Sequence, residues 1–167
     1  MKNTKTLVLL SLFITLQIIL TRFLSIQTPI LRIGFGFIPL IFSSILFGPV
    51  LGGICAAISD ILGMFIFPQG TYFPGFTLSA FLSGLIYGSI LHKKSISLLR
   101  ISFSSLLVKF IIDIGLNTFW LSIITGKAVA ILLIPRVTKT LIMIPVEIFL
   151  VYILWIYLGS SIKSQVN

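Results

Sequence analysis

Long apolar runs separated by short polar breaks dominate the chain. Runs of this kind, rich in Leu, Ile and Phe, are typical of helices that cross a bilayer, which need about 20 apolar residues each. The first run extends from about Thr6 to Leu24 and is interrupted by Gln17 and Arg22. Strands of a membrane barrel would instead alternate apolar and polar residues. The pattern therefore predicts membrane helices.

Glycine, proline and basic breaks divide the rest of the chain into five further helices. After a loop through residues 26–34, we expect them at about 35–47, from Gly48-Pro49 to near Phe67, from Pro74 to Leu91, from Ser97 to Thr125, and from the neighbourhood of Pro135 to Leu158. The expected fold class is all-α: a polytopic membrane protein with six transmembrane helices in one compact bundle. Residues 1–167 form a single integral-membrane domain in this interpretation.

The composition excludes a soluble domain. Hydrophobic residues make up 57% of the chain and charged residues 9%, whereas a soluble domain has about 25% charged residues. The expected surroundings are a lipid bilayer, with no nucleic acid partner. The single cysteine, Cys55, stands beside Ala56 and Ala57 and is interpreted as a packing residue. The first apolar run lacks a small-residue cleavage site and is expected to remain in the mature protein.

The positive charges set the expected orientation. Lys2 and Lys5 favour a cytoplasmic N-terminus in the cell membrane, and six helices then return the C-terminus to the same side. On this topology five cations lie toward the outside, against the usual bias: Arg22, Arg32, Lys127, Arg136 and Lys139. All of these except Lys127 are expected to form an anion site at an outward-facing binding pocket, because arginine suits carboxylates and phosphates. The alternative for each one is snorkelling to the interface.

Ionisable residues within the apolar runs are expected to be paired. Lys109 and Asp113 are four residues apart on the fifth helix and would neutralise each other, and Glu147 would pair with a cation across the bundle. Asn117 and Trp120 continue the stripe of Lys109 and are candidate ligand contacts.

Asp60 has no cation three or four residues away on its own helix. It would either accept hydrogen bonds from a donor-rich ligand or pair with a cation from another helix.

The segment from Phe67 to Thr77 is polar and aromatic, and glycines and prolines restrict its turns. We expect it to cap a bound molecule, with the loop contacts Gln69, Gly70, Tyr72 and Phe73. A plain connector is the alternative.

No residue pattern favours catalysis. The single histidine, His92, lies in a basic turn, and neither clustered carboxylates nor metal-ligand spacing occurs in the sequence. The chain is not expected to be an enzyme or to hold a cofactor or metal. It also lacks a phosphate-binding loop with its lysine, so another protein would have to supply the energy for any transport. The residues indicate a pocket for a flat, hydrogen-bonding anion.

Several motifs, in their order along the chain, resemble the folate-specific substrate-binding (S) component of energy-coupling factor (ECF) transporters. They are Arg32 to Pro39, Gly48-Pro49, Ser59-Asp60, Tyr72 to Thr77, Asn117 to Trp120, and Arg136 to Lys139 with Pro145. The resemblance implies an S component that binds folate outside the cell. It also implies docking on a transmembrane coupling protein and two cytoplasmic ATPases. The family's small-residue docking patch on the first helix corresponds here to Ser11 and Thr15, for which packing within the bundle is the alternative.

A folate ligand would divide the candidate contacts into two groups. Arg22, Arg32, Arg136 and Lys139 would face its carboxylates, and the polar and aromatic residues would face the pterin and aminobenzoate: Asp60, Tyr72, Phe73, Asn117 and Trp120. Two other interpretations stay open, an S component for another vitamin such as riboflavin or thiamine and a membrane scaffold that binds no solute.

Overall fold

The computed structural model describes the backbone of residues 2–27, 32–68 and 71–166, with side chains over 4–26, 33–68 and 71–159. Most of this backbone is helical. The elements, in chain order, are α1 Lys2–Arg22, β1 Ser25–Gln27, β2 Arg32–Gly34, α2 Phe37–Phe47, α3 Pro49–Ile66, α4 Pro74–Leu91, α5 Leu98–Val108, the π-helix π1 Lys109–Leu116, α6 Asn117–Thr125 and α7 Val129–Val166.

Five helical stretches in the described part of the chain are long and apolar enough to cross a membrane. They are Thr4–Arg22, Pro49–Ile66, Pro74–Leu91, Leu98–Thr125 and Val129–Gly159. The remaining helix, α2, has 11 residues and is therefore about 16 Å long, against a hydrocarbon core of about 30 Å. The prediction of an all-helical membrane bundle is confirmed, but α2 is too short to be a sixth full span.

The α1–α2 connection contains a short hairpin that the sequence pattern did not predict. β1 and β2 pair antiparallel, with Ser25 opposite Gly34 and Ile26 opposite Ile33. A Cβ at Gly34 would lie 2.7 Å from the Ser25 Cβ, so the close approach of the strands requires glycine. Strands of three residues are too short to produce a recognisable alternation, which explains why the segment was expected to be a loop.

The last helix begins earlier than predicted. α7 starts at Val129, and both Pro135 and Pro145 lie inside it. The expectation of a start near Pro135 was wrong because proline is tolerated within membrane helices, where neighbouring helices and local adjustments satisfy the freed backbone groups. Arg136 and Lys139 consequently lie on the second and third turns of α7.

The fifth predicted helix is one span, Leu98–Thr125, but its middle is a π-helix. The π1 segment widens the turn over Lys109–Leu116, and such departures from α-helical geometry often occur at functional sites. Lys109 and Asp113 therefore lie on irregular backbone, and Asn117 follows directly after it.

The connections between the helices fall at two ends of the bundle, and α1 and α3 run in the same direction because α2 lies between them. At one end, the rings of Phe23 and Phe67 are 4.5 Å apart, which brings the end of α1 to the α3–α4 connection. At the other end, His92 Nδ1 lies 2.7 Å from the Ile45 carbonyl oxygen, which brings the α4–α5 connection to the end of α2. The end that carries β1 and β2 is called the hairpin end below.

Buried side chains of α2, α4, α5, π1 and α7 form the main core: Ile41, Ile45, Tyr87, Leu91, Ile101, Val108, Ile112 and Val151. Cys55 belongs to a second cluster, with Phe13, Phe42 and Leu46. The cysteine is buried, as expected for a packing residue.

Candidate functional site

Three ionisable residues form a largely buried cluster beside Tyr87 of α4. Lys109 Nζ lies 3.0 Å from Asp113 Oδ2 and 3.0 Å from Glu147 Oε2. Glu147 is fully buried, and the Tyr87 hydroxyl donates to its Oε1 atom at 2.5 Å. The predicted pairing of Lys109 with Asp113, and of Glu147 with a cation across the bundle, is confirmed. We call Lys109, Asp113 and Glu147 the ion triad.

Asp113 connects the ion triad to α6 and α7. Its carboxylate accepts from Asn117 Nδ2 at 3.2 Å, and its backbone carbonyl accepts from Arg136 Nη1 at 3.1 Å. Lys139 interacts electrostatically with Asp113. Three of the predicted site residues, Asn117, Arg136 and Lys139, therefore gather around the backbone and side chain of Asp113 on π1.

A cavity of about 180 Å³ lies beside this cluster. α1 contributes Gln17 and Thr21 to its wall, and α4 contributes Ser83 and Tyr87. The wall on the π1 and α7 side carries Lys109, Asp113, Lys139 and Met143, and the hairpin and α2 add Gly34, Gly36, Phe37 and Leu40. Typical ligand pockets have volumes of about 300–1,000 Å³. This cavity therefore accommodates one part of a vitamin-sized molecule.

Aromatic residues gather nearer the hairpin end. The ring centroids of Phe73 and Trp120 are 5.6 Å apart, and Trp120 Nε1 donates to Ser79 Oγ at 3.2 Å. A Cβ at Gly75 would lie 2.6 Å from atoms of both rings, so only glycine fits beneath them. We call Phe73, Gly75 and Trp120 the aromatic cluster.

One face of α4 joins the aromatic cluster to the cavity. Gly75, Ser79, Ser83 and Tyr87 are spaced four residues apart and thus lie on the same side of the helix. Gly75 and Ser79 contact Trp120, whereas Ser83 and Tyr87 line the cavity. This face therefore extends from the aromatic cluster to the ion triad, where Tyr87 binds Glu147.

Asp60 and Tyr72 are linked through Thr77. The Thr77 hydroxyl donates to Asp60 Oδ2 at 2.8 Å, and its oxygen is 3.3 Å from the Tyr72 hydroxyl. Arg22 is buried, with a Cβ built at Gly63 only 2.9 Å from its Nε atom, and it interacts electrostatically with Asp60. This arrangement agrees with the alternative in which Asp60 pairs with a cation from another helix.

Two of the remaining predicted contacts are exposed on the protein surface, and three have side chains or whole residues that the structure does not describe. Ser11 and Thr15 are exposed on α1 and donate to the carbonyls of Leu7 and Ser11, both at 2.9 Å. The side chain of Arg32, and both Gln69 and Gly70, lie outside the described residues.

Six polar residues of the cavity wall were missing from the predicted site, two of them interpreted only as an ion pair: Gln17, Thr21, Ser83, Tyr87, Lys109 and Asp113. Gln17 was visible as an amide in an otherwise apolar run. The four-residue spacing of Ser79, Ser83 and Tyr87 was also present in the sequence, but which face of α4 meets the cavity depends on tertiary structure.

Comparisons with known proteins agree over most of the chain. A family model described as "ECF transporter, substrate-specific component" matches residues 5–155. The folate transporter FolT of Clostridium novyi (strain NT) is 48% identical over 155 residues, covering 93% of this chain and 90% of the relative. FolT of Leuconostoc mesenteroides subsp. mesenteroides is 34% identical over 158 residues, covering 91% and 85% respectively. A crystal structure of FolT bound with folic acid matches with a TM-score of 0.84 at 38% identity, covering 89% of this chain and 90% of that chain.

Proposed function

Because the chain belongs to the substrate-specific components of ECF transporters, we propose that it binds folate and delivers it to an ECF importer. The observation that carries this proposal is the likeness to FolT with folic acid bound, which extends over 89% of the chain. The family consists of transporter components, so the chain is not an enzyme.

The deep cavity is proposed to hold the pterin ring. Lys109 already contacts two carboxylates, Asp113 and Glu147, and is therefore not available to a third. An uncharged ring with N–H donors suits the part of the cavity beside Lys109 better than an anion does, because burying an unpaired charge is costly. The cavity volume of about 180 Å³ also supports a ring system rather than the whole vitamin.

The rest of the ligand is proposed to extend along α4 toward the hairpin end. Tyr72, Phe73 and Trp120 would contact the aminobenzoate, since offset or edge-on aromatic pairs add about 0.5–1.5 kcal/mol beyond their buried area. Asn117 would add a polar contact, because its Oδ1 atom is buried and accepts from no other described residue. Gln69 and Gly70 would cover the ligand from the loop after α3. Asp60 would stabilise the start of α4 through its hydrogen bond with Thr77.

The glutamate carboxylates are proposed to meet the cations near the hairpin end: Arg22, Arg32, Arg136 and Lys139. Arg136 and Lys139 lie on α7 closer to the hairpin end than Glu147 of the ion triad does. A desolvated hydrogen bond to a charged group contributes about 1.5–3 kcal/mol. Several such contacts, together with stacking, are sufficient for nanomolar affinity, which corresponds to about 12 kcal/mol.

The pocket is proposed to face outward in the cell membrane, with both termini cytoplasmic. Ser11 and Thr15 would dock on the transmembrane coupling protein, which acts with two ATPases. Their exposure supports this role, as does the satisfaction of both hydroxyls by α1 itself.

Equilibrium titration of the purified protein in detergent tests the proposed substrate. Folate is expected to bind saturably at nanomolar concentration, and riboflavin and thiamine to show no binding at micromolar concentration. Binding of one of these vitamins in place of folate would be consistent with the family assignment but would exclude folate as the substrate. A folded protein that binds none of the three would favour the scaffold interpretation.

A further inference from the structure

Gln17 is a partly buried residue of α1 whose amide oxygen has no hydrogen-bond donor among the described residues. Its Oε1 atom is buried and accepts no hydrogen bond from the described residues. Two other polar side chains of α1, Ser11 and Thr15, donate to backbone carbonyls of their own helix. A buried amide oxygen without a donor is unfavourable within a membrane protein. The unpaired oxygen therefore favours a hydrogen-bond donor on a molecule bound in the cavity.

The location of Gln17 indicates where that donor lies. Gln17 and Thr21 line the same cavity from α1, and Gln17 is one turn farther from the hairpin end than Thr21. Asp113 lines the cavity from π1 on a different wall. An amide oxygen and a carboxylate are both hydrogen-bond acceptors. A guest in this space must consequently present N–H groups toward more than one wall.

We propose that Gln17 is a specificity-determining contact that accepts a hydrogen bond from the exocyclic amino group of the pterin. This inference rests on the proposed function and deepens it. The amino group satisfies the buried Gln17 oxygen, and the adjoining ring N–H faces Asp113 on the π1 wall of the cavity. A site whose buried polar groups require partners rejects ligands that lack them, so Gln17 selects for amino-substituted rings.

Two ligands and two variants test the proposal. Gln17→Leu removes the acceptor at similar volume, and Gln17→Met does so with a longer, more adaptable side chain. Each is titrated with folate and with a folate analogue in which hydrogen replaces the exocyclic amino group. Thr138→Val is the control, because Thr138 is an exposed residue of α7 that donates to the Ile134 carbonyl.

The wild type is expected to bind folate about tenfold more tightly than the analogue, a difference of about 1.4 kcal/mol. Both Gln17 variants should bind folate about tenfold more weakly, bind the analogue as the wild type does, and melt without ligand at the same or a higher temperature. Thr138→Val should keep the full discrimination.

Unchanged discrimination in folded Gln17 variants would overturn the inference while leaving folate binding intact. A loss of melting temperature with equal weakening for both ligands would assign Gln17 a structural role and also overturn it. Absence of folate binding in the wild type would overturn the proposed function and this inference together.

Discussion

The ammonium group of Lys109 lies 3.0 Å from a carboxylate oxygen of Glu147, although the two residues come from different spans of the bundle. This ion pair connects π1 to α7, and Tyr87 of α4 binds the other oxygen of the same carboxylate. Three helical spans thus meet at one buried carboxylate. The cavity lies directly on this contact, since Tyr87 and Lys109 line its wall.

Removal of the cation should destabilise the bundle more than removal of one carboxylate. Lys109→Met leaves the fully buried Glu147 and the partly buried Asp113 without their ammonium partner, and breaking a buried pair in this way costs about 3–5 kcal/mol. Glu147→Gln keeps the Lys109–Asp113 pair and should cost less. Thermal unfolding in detergent without ligand measures both effects.

The double variant Lys109→Met/Glu147→Gln provides the control for this prediction. It removes one of the two stranded carboxylates and should melt at a higher temperature than Lys109→Met alone. Identical melting of the wild type and all three variants would show that the ion triad contributes no stability.

The two lysines at the hairpin end of the bundle should differ in their effect on ligand affinity. Lys139→Met should weaken folate binding by about 10–100-fold, because a charged hydrogen bond contributes about 1.5–3 kcal/mol. Lys127→Met is the matched control, since Lys127 is exposed in the α6–α7 turn and was assigned no role. Titration calorimetry checks both, and an equal loss in the two variants would indicate a nonspecific charge effect.

Gly75→Ala should disturb the aromatic cluster without unfolding the protein. The added Cβ would lie 2.6 Å from atoms of Phe73 and Trp120, so the rings must move, and overpacking of this kind costs about 1–3 kcal/mol. Folate affinity should fall about tenfold. Gly115→Ala is the control, because its Cβ would approach other atoms no closer than 3.4 Å. A Gly75→Ala protein with unchanged affinity would exclude the aromatic cluster from the site.

The exposed hydroxyl residues of α1 should matter for uptake but not for binding. Ser11→Leu/Thr15→Leu enlarges the proposed docking patch and should abolish folate uptake by cells while the purified component binds folate as before. Ser89→Leu is the control, because Ser89 is exposed on α4 and also donates to the carbonyl of its own helix. Uptake that survives the double substitution would contradict docking through these residues.

The scaffold alternative makes a different prediction for the polar residues. It requires that Arg136→Ala or Asp60→Ala changes only the yield of folded protein. Folate binding instead predicts a folded protein with affinity reduced at least tenfold for Arg136→Ala. Size-exclusion chromatography followed by titration separates these outcomes.

Local patterns predicted those parts of the fold that depend on one helix at a time. The bounds of α4, Pro74 to Leu91, agree with the prediction because proline starts this helix and a basic turn follows it. The Lys109–Asp113 pair was predictable from its four-residue spacing. The early start of α7 could not be predicted in this way, because proline normally indicates a helix start and here lies within a membrane helix.

The cavity could be predicted only in part, since its wall combines side chains from α1, α4, π1 and α7. Spacing along one helix identified Asn117, Arg136 and Lys139 as candidates, and the structure brings them to Asp113. Spacing along one helix could not show that Gln17 and Tyr87 face the same cavity, because this depends on how separate helices pack. Asp60 accepts a hydrogen bond from Thr77, which lies 17 residues away in the sequence.

The identity of the molecule that copurifies with the protein shows directly whether its substrate is folate. The component is purified from cells grown with folate, riboflavin and thiamine, the bound molecule is released by denaturation, and its mass is measured. We expect a folate in about one-to-one ratio with wild-type protein and a clearly reduced amount with Lys139→Met. Release of another vitamin at the same ratio, with no folate, would contradict this expectation.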